Sequence, residues 1–299
     1  MSSRVSPIRS TVCPLLAALI WGSAFVAQDI AAKDLEPFTV NAVRSWFGAF
    51  ALLFICFLFR KKFAVPQEKR TTYKKQLIWG GLGCGLLLTV AANLQQAGIG
   101  DTDPGKAGFI TSLYVVLVPI LGIFLRRRAP YTVWIGIGLS LVGLYLLCIT
   151  DSFTVSPSDL LILLCALFFA LQILLVDRLS EINSMHLCCA QLFVVAIVST
   201  VLMFVFETPS TALIVKHLLP LVYIGIFSSA IAYTLQIVSQ KGSNPTVVSL
   251  LLCLESVFAV LTGWIVQGDT LNPREILGCC LMFAAVTLAS IPTKDKKMA

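Results

Sequence analysis

Two ionisable side chains, Glu255 and Arg44, lie inside long apolar stretches of the sequence. A charge at the centre of a membrane-spanning helix costs at least about 2.5–3.5 kcal/mol, so neither side chain is expected to face lipid. Glu255 could exchange a proton or pair with the amine of a bound molecule, because burial makes a carboxyl group hold its proton more readily. Arg44 could bind a carboxylate. In the structural alternative, the two residues pair with each other, or Glu255 bonds to neighbouring backbone.

Neutral polar and aromatic side chains in the same apolar stretches form a second group of candidates. They could line a wet cavity, or they could join helices through hydrogen bonds worth about 0.6 kcal/mol each. The candidates are Trp21, Ser23, Gln28, Asn93, Gln96, Tyr114, Gln172, Gln191, Tyr233 and Gln236, with Gln95 and Ser112 of the same type. Pro119 lies inside an apolar stretch and predicts a kink, which could be a gating bend or a static one.

The composition predicts that these residues lie in a membrane protein. Only 12% of the 299 residues are charged, 58% are hydrophobic and the mean hydropathy is +0.90. Soluble domains have about 25% charged residues, so this chain lacks the charge that a soluble surface needs. The net charge of +7 comes from short basic clusters without interleaved aromatics, which excludes nucleic-acid binding. No cysteine or histidine spacing indicates a metal or cofactor site, and no catalytic motif indicates an enzyme.

Windows of about 20 apolar residues predict an all-α polytopic protein with ten membrane-spanning helices. The predicted spans are 12–32, 38–59, 76–98, 105–125, 131–149, 157–177, 184–206, 217–239, 244–267 and 273–291. Ten spans place 17 Lys and Arg residues on one side of the membrane and 4 on the other, with Arg44 within a span. Because basic residues favour the cytoplasmic side, both termini are predicted to be cytoplasmic.

The two halves of the chain resemble each other at an offset of 142 residues, which aligns Gly136 with Gly278 and Leu139 with Leu281. Each predicted repeat, 12–149 and 157–291, has five spans. An odd number of spans makes the second repeat enter the membrane in the opposite sense. Inverted repeats are typical of secondary transporters, whose substrate sites lie near the midplane between the repeats.

The sequence also resembles a known family at several motifs. These are WGSAFVAQ, AVRSWFGA, QQAGI followed by GKAGFITSLYVVLVPILG, and LESVFAVLTGW followed by QGDTLNPREILG. Their order and spacing, over about residues 12–291, are similar to two consecutive domains of the EamA family of the drug/metabolite transporter superfamily. The resemblance implies ten helices, a central cavity that opens alternately to each side, and transport of metabolites, often export of amino acids or related compounds.

We therefore expect a multi-pass transporter of the plasma membrane, most simply a bacterial one, that moves a small polar metabolite by alternating access. No ATP-binding motif is present, so a gradient is the expected driving force, and Glu255 makes protons the expected coupling ion. One alternative is uptake or exchange of a charged nucleoside-type metabolite such as S-adenosylmethionine. Another is a membrane protein that transports nothing, such as a lipid-binding scaffold or an intramembrane enzyme. Membrane lipids are expected partners, and the sequence leaves a monomer and a homodimer both open.

Overall fold

The computed structural model describes residues 8–63, 70–99, 102, 104–125, 130–148, 156–267 and 272–290. The regular elements among them are all helical. The predicted cytoplasmic termini and the basic segment 126–128 lie outside the described residues.

Fourteen α-helices and two π-helical segments follow one another along the described chain. The π-helical segments are Ile8–Val12 and Ile224–Ala232. The α-helices are α1 (Cys13–Ala32), α2 (Pro37–Leu58), α3 (Arg70–Ile99), α4 (Pro104–Ser112), α5 (Tyr114–Phe124), α6 (Tyr131–Cys148), α7 (Pro157–Arg178), α8 (Ser184–Phe206), α9 (Thr211–Lys216), α10 (Leu218–Tyr223), α11 (Tyr233–Gln240), α12 (Pro245–Leu252), α13 (Glu255–Gln267) and α14 (Pro273–Ser290).

The chain is embedded in a membrane as a multi-pass helical protein. Eight helical segments of the described chain are long and apolar enough to cross a bilayer, and Tyr131–Leu147 is a shorter apolar helix. Large apolar side chains such as Phe54 and Phe204 are well exposed on the outside of the bundle, as contact with lipid requires. The tenth predicted span forms α14, whose first turn carries Arg274 and Glu275. The count of ten spans therefore stays a prediction.

Prolines and capping side chains fix where several helices begin. Proline occupies the first helical position of α2, α7 and α12, where its missing N–H costs no hydrogen bond. Before α7, Ser156 and Asp159 form a reciprocal capping box. The carboxylate of Glu207, at the end of α8, accepts bonds from the backbone N–H groups of Phe38 and Thr39, each at 2.7 Å. The end of α8 thereby holds the start of α2.

Two of the membrane-spanning segments are interrupted near their middle. One break lies at Leu113, between α4 and α5, somewhat less than two turns before the buried Pro119. The other lies at Cys253 and Leu254, between α12 and α13. The 142-residue offset aligns Leu113 with Glu255, so the two breaks lie within two residues of each other in the alignment. They also meet in space, because Ser112 Oγ lies 2.8 Å from Ser256 Oγ.

Ionic contacts join loops and helix starts outside the centre of the bundle. Lys106 Nζ lies 2.6 Å from Asp159 Oδ2, linking α4 to α7. Asp34 Oδ2 lies 2.6 Å from Lys216 Nζ and 2.7 Å from His217 Nε2. Hydrogen bonding to Lys216, and then to His217, holds the pKa of Asp34 below its ordinary value. This contact is therefore kept at neutral pH and lost only as the pH falls through that lowered pKa.

Small residues allow the backbones of α6 and α14 to touch. A Cβ atom added to Gly278 would lie 2.7 Å from the carbonyl oxygen of Gly143 and 2.8 Å from the nitrogen of Leu147. Helices in lipid associate largely by such close packing, because burial from water contributes little there.

We predict that Gly278→Ala destabilises the protein by about 1–3 kcal/mol, since two helix backbones must separate to admit the methyl group. The measurement is unfolding of the detergent-purified protein. Gly138→Ala is the matched control, because a Cβ atom at Gly138 meets no atom within 4 Å. Equal stability of the two variants would show that the contact between α6 and α14 contributes little.

Candidate functional site

A narrow cavity of about 40 Å³ lies at the centre of the bundle, beside the break between α12 and α13. It is lined by Trp21, Phe25, Gln28, Arg44, Gln95, Thr111, Tyr114, Phe169, Ile173, Ser228, Tyr233, Gln236, Leu252 and Glu255. The lining thus combines a cation, a carboxyl group, neutral hydrogen-bonding groups and several aromatic rings. These are the components of a site for a small polar molecule with an apolar part.

Glu255 reaches the cavity because it is the first residue of α13, directly after the helix break. The side chain is only 4% exposed, and the Tyr114 hydroxyl donates a hydrogen bond to Glu255 Oε1 at 3.2 Å. Gly22 allows α1 to approach this point, because a Cβ atom there would lie 2.6 Å from the Glu255 carbonyl oxygen. The break, the glycine and the tyrosine together position the carboxyl group.

Arg44 reaches the same cavity from α2 and is also 4% exposed. Its Nη1 donates to Gln28 Oε1 at 2.7 Å, whereas its buried Nε has no partner among the described residues. No ion pair joins Arg44 to Glu255, and each bonds to a neutral side chain instead. The structural alternative in which these two charges pair with each other is therefore wrong. Each of these two side chains still has atoms that can form hydrogen bonds to a molecule in the cavity.

Aromatic rings form the wall around these polar groups. Trp21 Nε1 donates to the carbonyl oxygen of Ser228 at 3.2 Å, and the Trp21 ring packs edge-on against Tyr233 with centroids 5.0 Å apart. Ser228 belongs to the π-helical segment Ile224–Ala232. Such segments occur frequently at functional sites. Phe25 and Phe169 complete the aromatic lining.

Several predicted site residues lie outside the cavity lining and join helices to one another. Asn93 Nδ2 donates to Ser199 Oγ at 3.0 Å, and Asn41 Nδ2 donates to Asn93 Oδ1 at 3.0 Å. Ser23 Oγ lies 2.5 Å from the Tyr223 hydroxyl. Asn93 therefore connects α2, α3 and α8, and Ser23 connects α1 to α10.

A row of glutamines leads from the cavity to α8. Gln236 Nε2 donates to Gln172 Oε1, and Gln172 Nε2 donates to Gln191 Oε1, each at 3.2 Å. Of these three side chains, Gln236 lines the cavity. Gln96 is 1% exposed, and neither side-chain amide atom has a partner among the described residues. Pro119 is buried in α5 and does not line the cavity.

Six residues of the cavity lining were not predicted from the sequence: Phe25, Thr111, Phe169, Ile173, Ser228 and Leu252. Helical spacing could have found Phe25, because Trp21, Phe25 and Gln28 recur at intervals of four and three on one face of α1. Thr111 Oγ1 accepts a hydrogen bond at 3.3 Å from Nε2 of Gln95, which is a polar residue on another helix. Phe169 and Ser228 carry no comparable signal, since apolar and small residues surround both in the sequence.

Comparison with known proteins places this architecture in a family. The model of the EamA-like transporter family matches residues 10–149 and again 156–291. An "Uncharacterized transporter" from Archaeoglobus fulgidus is 31% identical over 283 residues, which cover 92% of this chain and 84% of that protein. The "Uncharacterized inner membrane transporter YedA" of Escherichia coli is 24% identical over 289 residues, which cover 93% and 91% of the two chains.

The fold also matches a solved crystal structure, with a TM-score of 0.75, 18% sequence identity, and coverage of 94% of this chain and 96% of the other. At that identity the match bears on the fold alone. The family model covers almost the whole chain in two consecutive segments, and relatives along the full length carry the name of transporter. This chain belongs to the EamA-like transporter family.

Proposed function

We propose that this chain is a secondary active transporter of small zwitterionic metabolites, most simply an exporter of amino acids or related compounds. The observation that carries the proposal is the presence of Arg44 and Glu255 in one buried cavity, where they do not pair with each other. A scaffold would bury such charges in separate, dry helix contacts or pair them. Two unpaired opposite charges in one cavity instead provide two ends of a binding site.

The charges suit a molecule that carries both a carboxylate and an ammonium group. The Arg44 guanidinium offers planar donors to the carboxylate, and the Glu255 carboxylate offers an acceptor to the ammonium. Gln28 and Tyr114 orient these two groups through the bonds already formed. The rings of Trp21 and the other aromatic residues provide apolar surface for the rest of the substrate.

The architecture that we propose is ten spans in two inverted five-helix repeats, 12–149 and 157–291, with both termini cytoplasmic, in the plasma membrane. The two family matches, 10–149 and 156–291, divide the chain at the same place. The corresponding helix breaks at Leu113 and Cys253–Leu254 support two related halves that meet at the site. The excess of Lys and Arg on one predicted side supports the orientation.

The small size of the cavity supports a mechanism of alternating access. A volume of about 40 Å³ holds little more than a water molecule, so an amino acid can bind only after the helices around it move apart. The two meeting breaks are where that motion costs least, because no continuous helix must bend there. Transfer of a proton to and from Glu255 would couple the motion to a gradient.

The site can be identified first by ligand-induced stabilisation of the full chain in detergent. The panel comprises amino acids, amines, nucleosides and S-adenosylmethionine at two pH values. A ligand at 100 times its Kd stabilises the folded state by about 2.7 kcal/mol. Stabilisation by zwitterions supports the proposal, and stabilisation by S-adenosylmethionine alone would favour the cationic nucleoside alternative. If none of the compounds stabilises the protein, the support for a metabolite site is removed.

We predict that Glu255→Gln abolishes the pH dependence of transport, because glutamine keeps the shape of the side chain but cannot exchange a proton. The measurement is substrate flux in proteoliposomes with and without an imposed pH gradient. Thermal unfolding of the variant serves as the control for folding. If the Glu255→Gln variant keeps full, gradient-dependent flux, this carboxyl group does not couple transport to the proton gradient.

We predict that Arg44→Gln raises the substrate Kd by at least about tenfold, because hydrogen bonds to a charged group contribute about 1.5–3 kcal/mol. The matched control is Asn93→Ala, which removes interhelical bonds away from the cavity lining. This control should lower the free energy of unfolding by about 1 kcal/mol and leave the Kd unchanged. An equal loss of affinity in both variants would show that Arg44 acts only through the stability of the bundle.

A further inference from the structure

A second, larger cavity of about 760 Å³ lies between α2, α3 and α8, where α2 ends and α3 and α8 begin. We call it the basic groove. The side chains of Leu53, Leu77 and Phe193 form an apolar part of its lining. No residue is shared with the central cavity.

Four cationic side chains line one part of the basic groove: Arg60, Lys61, Arg70 and Lys74. All four are exposed, and none forms an ion pair with an acidic residue of the described chain. Like charges held together repel one another, and no described acidic residue pairs with these four, so an anion that binds among them gains from all four.

The wall of the groove is held in place by hydrogen bonds between α3 and α8. The Tyr73 hydroxyl lies 2.7 Å from His186 Nδ1 and accepts a bond from the Asn183 N–H at 3.2 Å. The Phe63 ring packs edge-on against the His186 ring, with centroids 6.0 Å apart. These contacts hold Phe63 and Tyr73, which lie close to the cations in the sequence, against the start of α8.

We propose that the basic groove binds the phosphate headgroup of an anionic membrane lipid, with an acyl chain on the apolar part of the lining. The cations match a phosphate, and the adjoining apolar surface matches a hydrocarbon chain, which a free phosphate lacks. The groove also adjoins the lipid-facing exterior, where Phe57 and Ile78 are exposed. This site is independent of the transported substrate and would remain if the proposed transport function were wrong.

The test uses the full chain in detergent micelles doped with phosphatidylglycerol or with zwitterionic phosphatidylcholine. Retained lipid is counted by native mass spectrometry, and the unfolding temperature is measured in parallel. We expect phosphatidylglycerol to be retained and to raise the unfolding temperature, with phosphatidylcholine doing neither. The Arg60→Gln/Arg70→Gln variant should bind phosphatidylglycerol at least about tenfold more weakly, since each basic residue near an anionic headgroup contributes about fivefold.

The matched control is Lys75→Gln/Arg178→Gln, which removes the same charge from exposed positions that do not line the groove. If the first variant fails to fold, Lys61→Gln/Lys74→Gln removes the other two cations. Equal weakening in the control would overturn the site in favour of a general charge effect. If inorganic phosphate alone stabilises the protein as much as phosphatidylglycerol does, the assignment to a lipid is overturned. If phosphatidylglycerol and phosphatidylcholine are retained equally, the role of the cations is overturned.

Discussion

A guanidinium and a carboxyl group that are buried in a lipid-embedded bundle without pairing with each other constrain much of the structure around them. Each needs hydrogen-bond partners in the protein, because an unsatisfied polar or charged group in a medium of low polarity is costly. Gln28 provides an acceptor for Arg44, and Tyr114 provides a donor for Glu255. These partners come from α1 and α5, so four helices meet where the two groups are buried. Because the two groups do not pair, they forgo the mutual attraction that would offset part of their desolvation cost.

The two helix breaks also have an energetic cost. Breaking a helix within a membrane frees backbone groups that lipid cannot bond, so breaks are tolerated where protein surrounds them. Here the two breaks face each other, and the Ser256 hydroxyl donates to the Gly108 carbonyl oxygen at 3.3 Å while lying 2.8 Å from Ser112 Oγ. The interruption also releases Glu255 from the middle of a continuous helix and places it at a helix start.

Hydropathy and the cost of buried charge were enough to predict the membrane-embedded helices and to select Glu255 and Arg44 as candidate site residues. The same reasoning could not separate Asn93 from Gln95, which are both buried and polar on α3. Two residues along a helix are about 200° apart, so Gln95 faces the cavity whereas Asn93 bonds to α2 and α8. Because α3 is covered by protein on several sides, its hydropathy pattern has no polar face that would indicate which residue meets the cavity. The break after Leu252 was equally hidden, since apolar residues continue through it.

The helices that form the basic groove also support the central site. Arg44 lies about two turns into α2, whose far end carries Leu53 and is followed by Arg60. Between these points α2 is held on α8, where Trp46 Nε1 donates to Thr200 Oγ1 at 3.0 Å. Gly225 also contacts the backbone of Arg44, because a Cβ atom added to Gly225 would lie 2.7 Å from the Arg44 carbonyl oxygen. This close contact leaves α2 little freedom to shift alone. Any motion that opens the cavity beside Arg44 must therefore carry α8 and the π-helical segment with α2, or break these contacts. The packing around Arg44 thus ties α2 to α8 and to the π-helical segment.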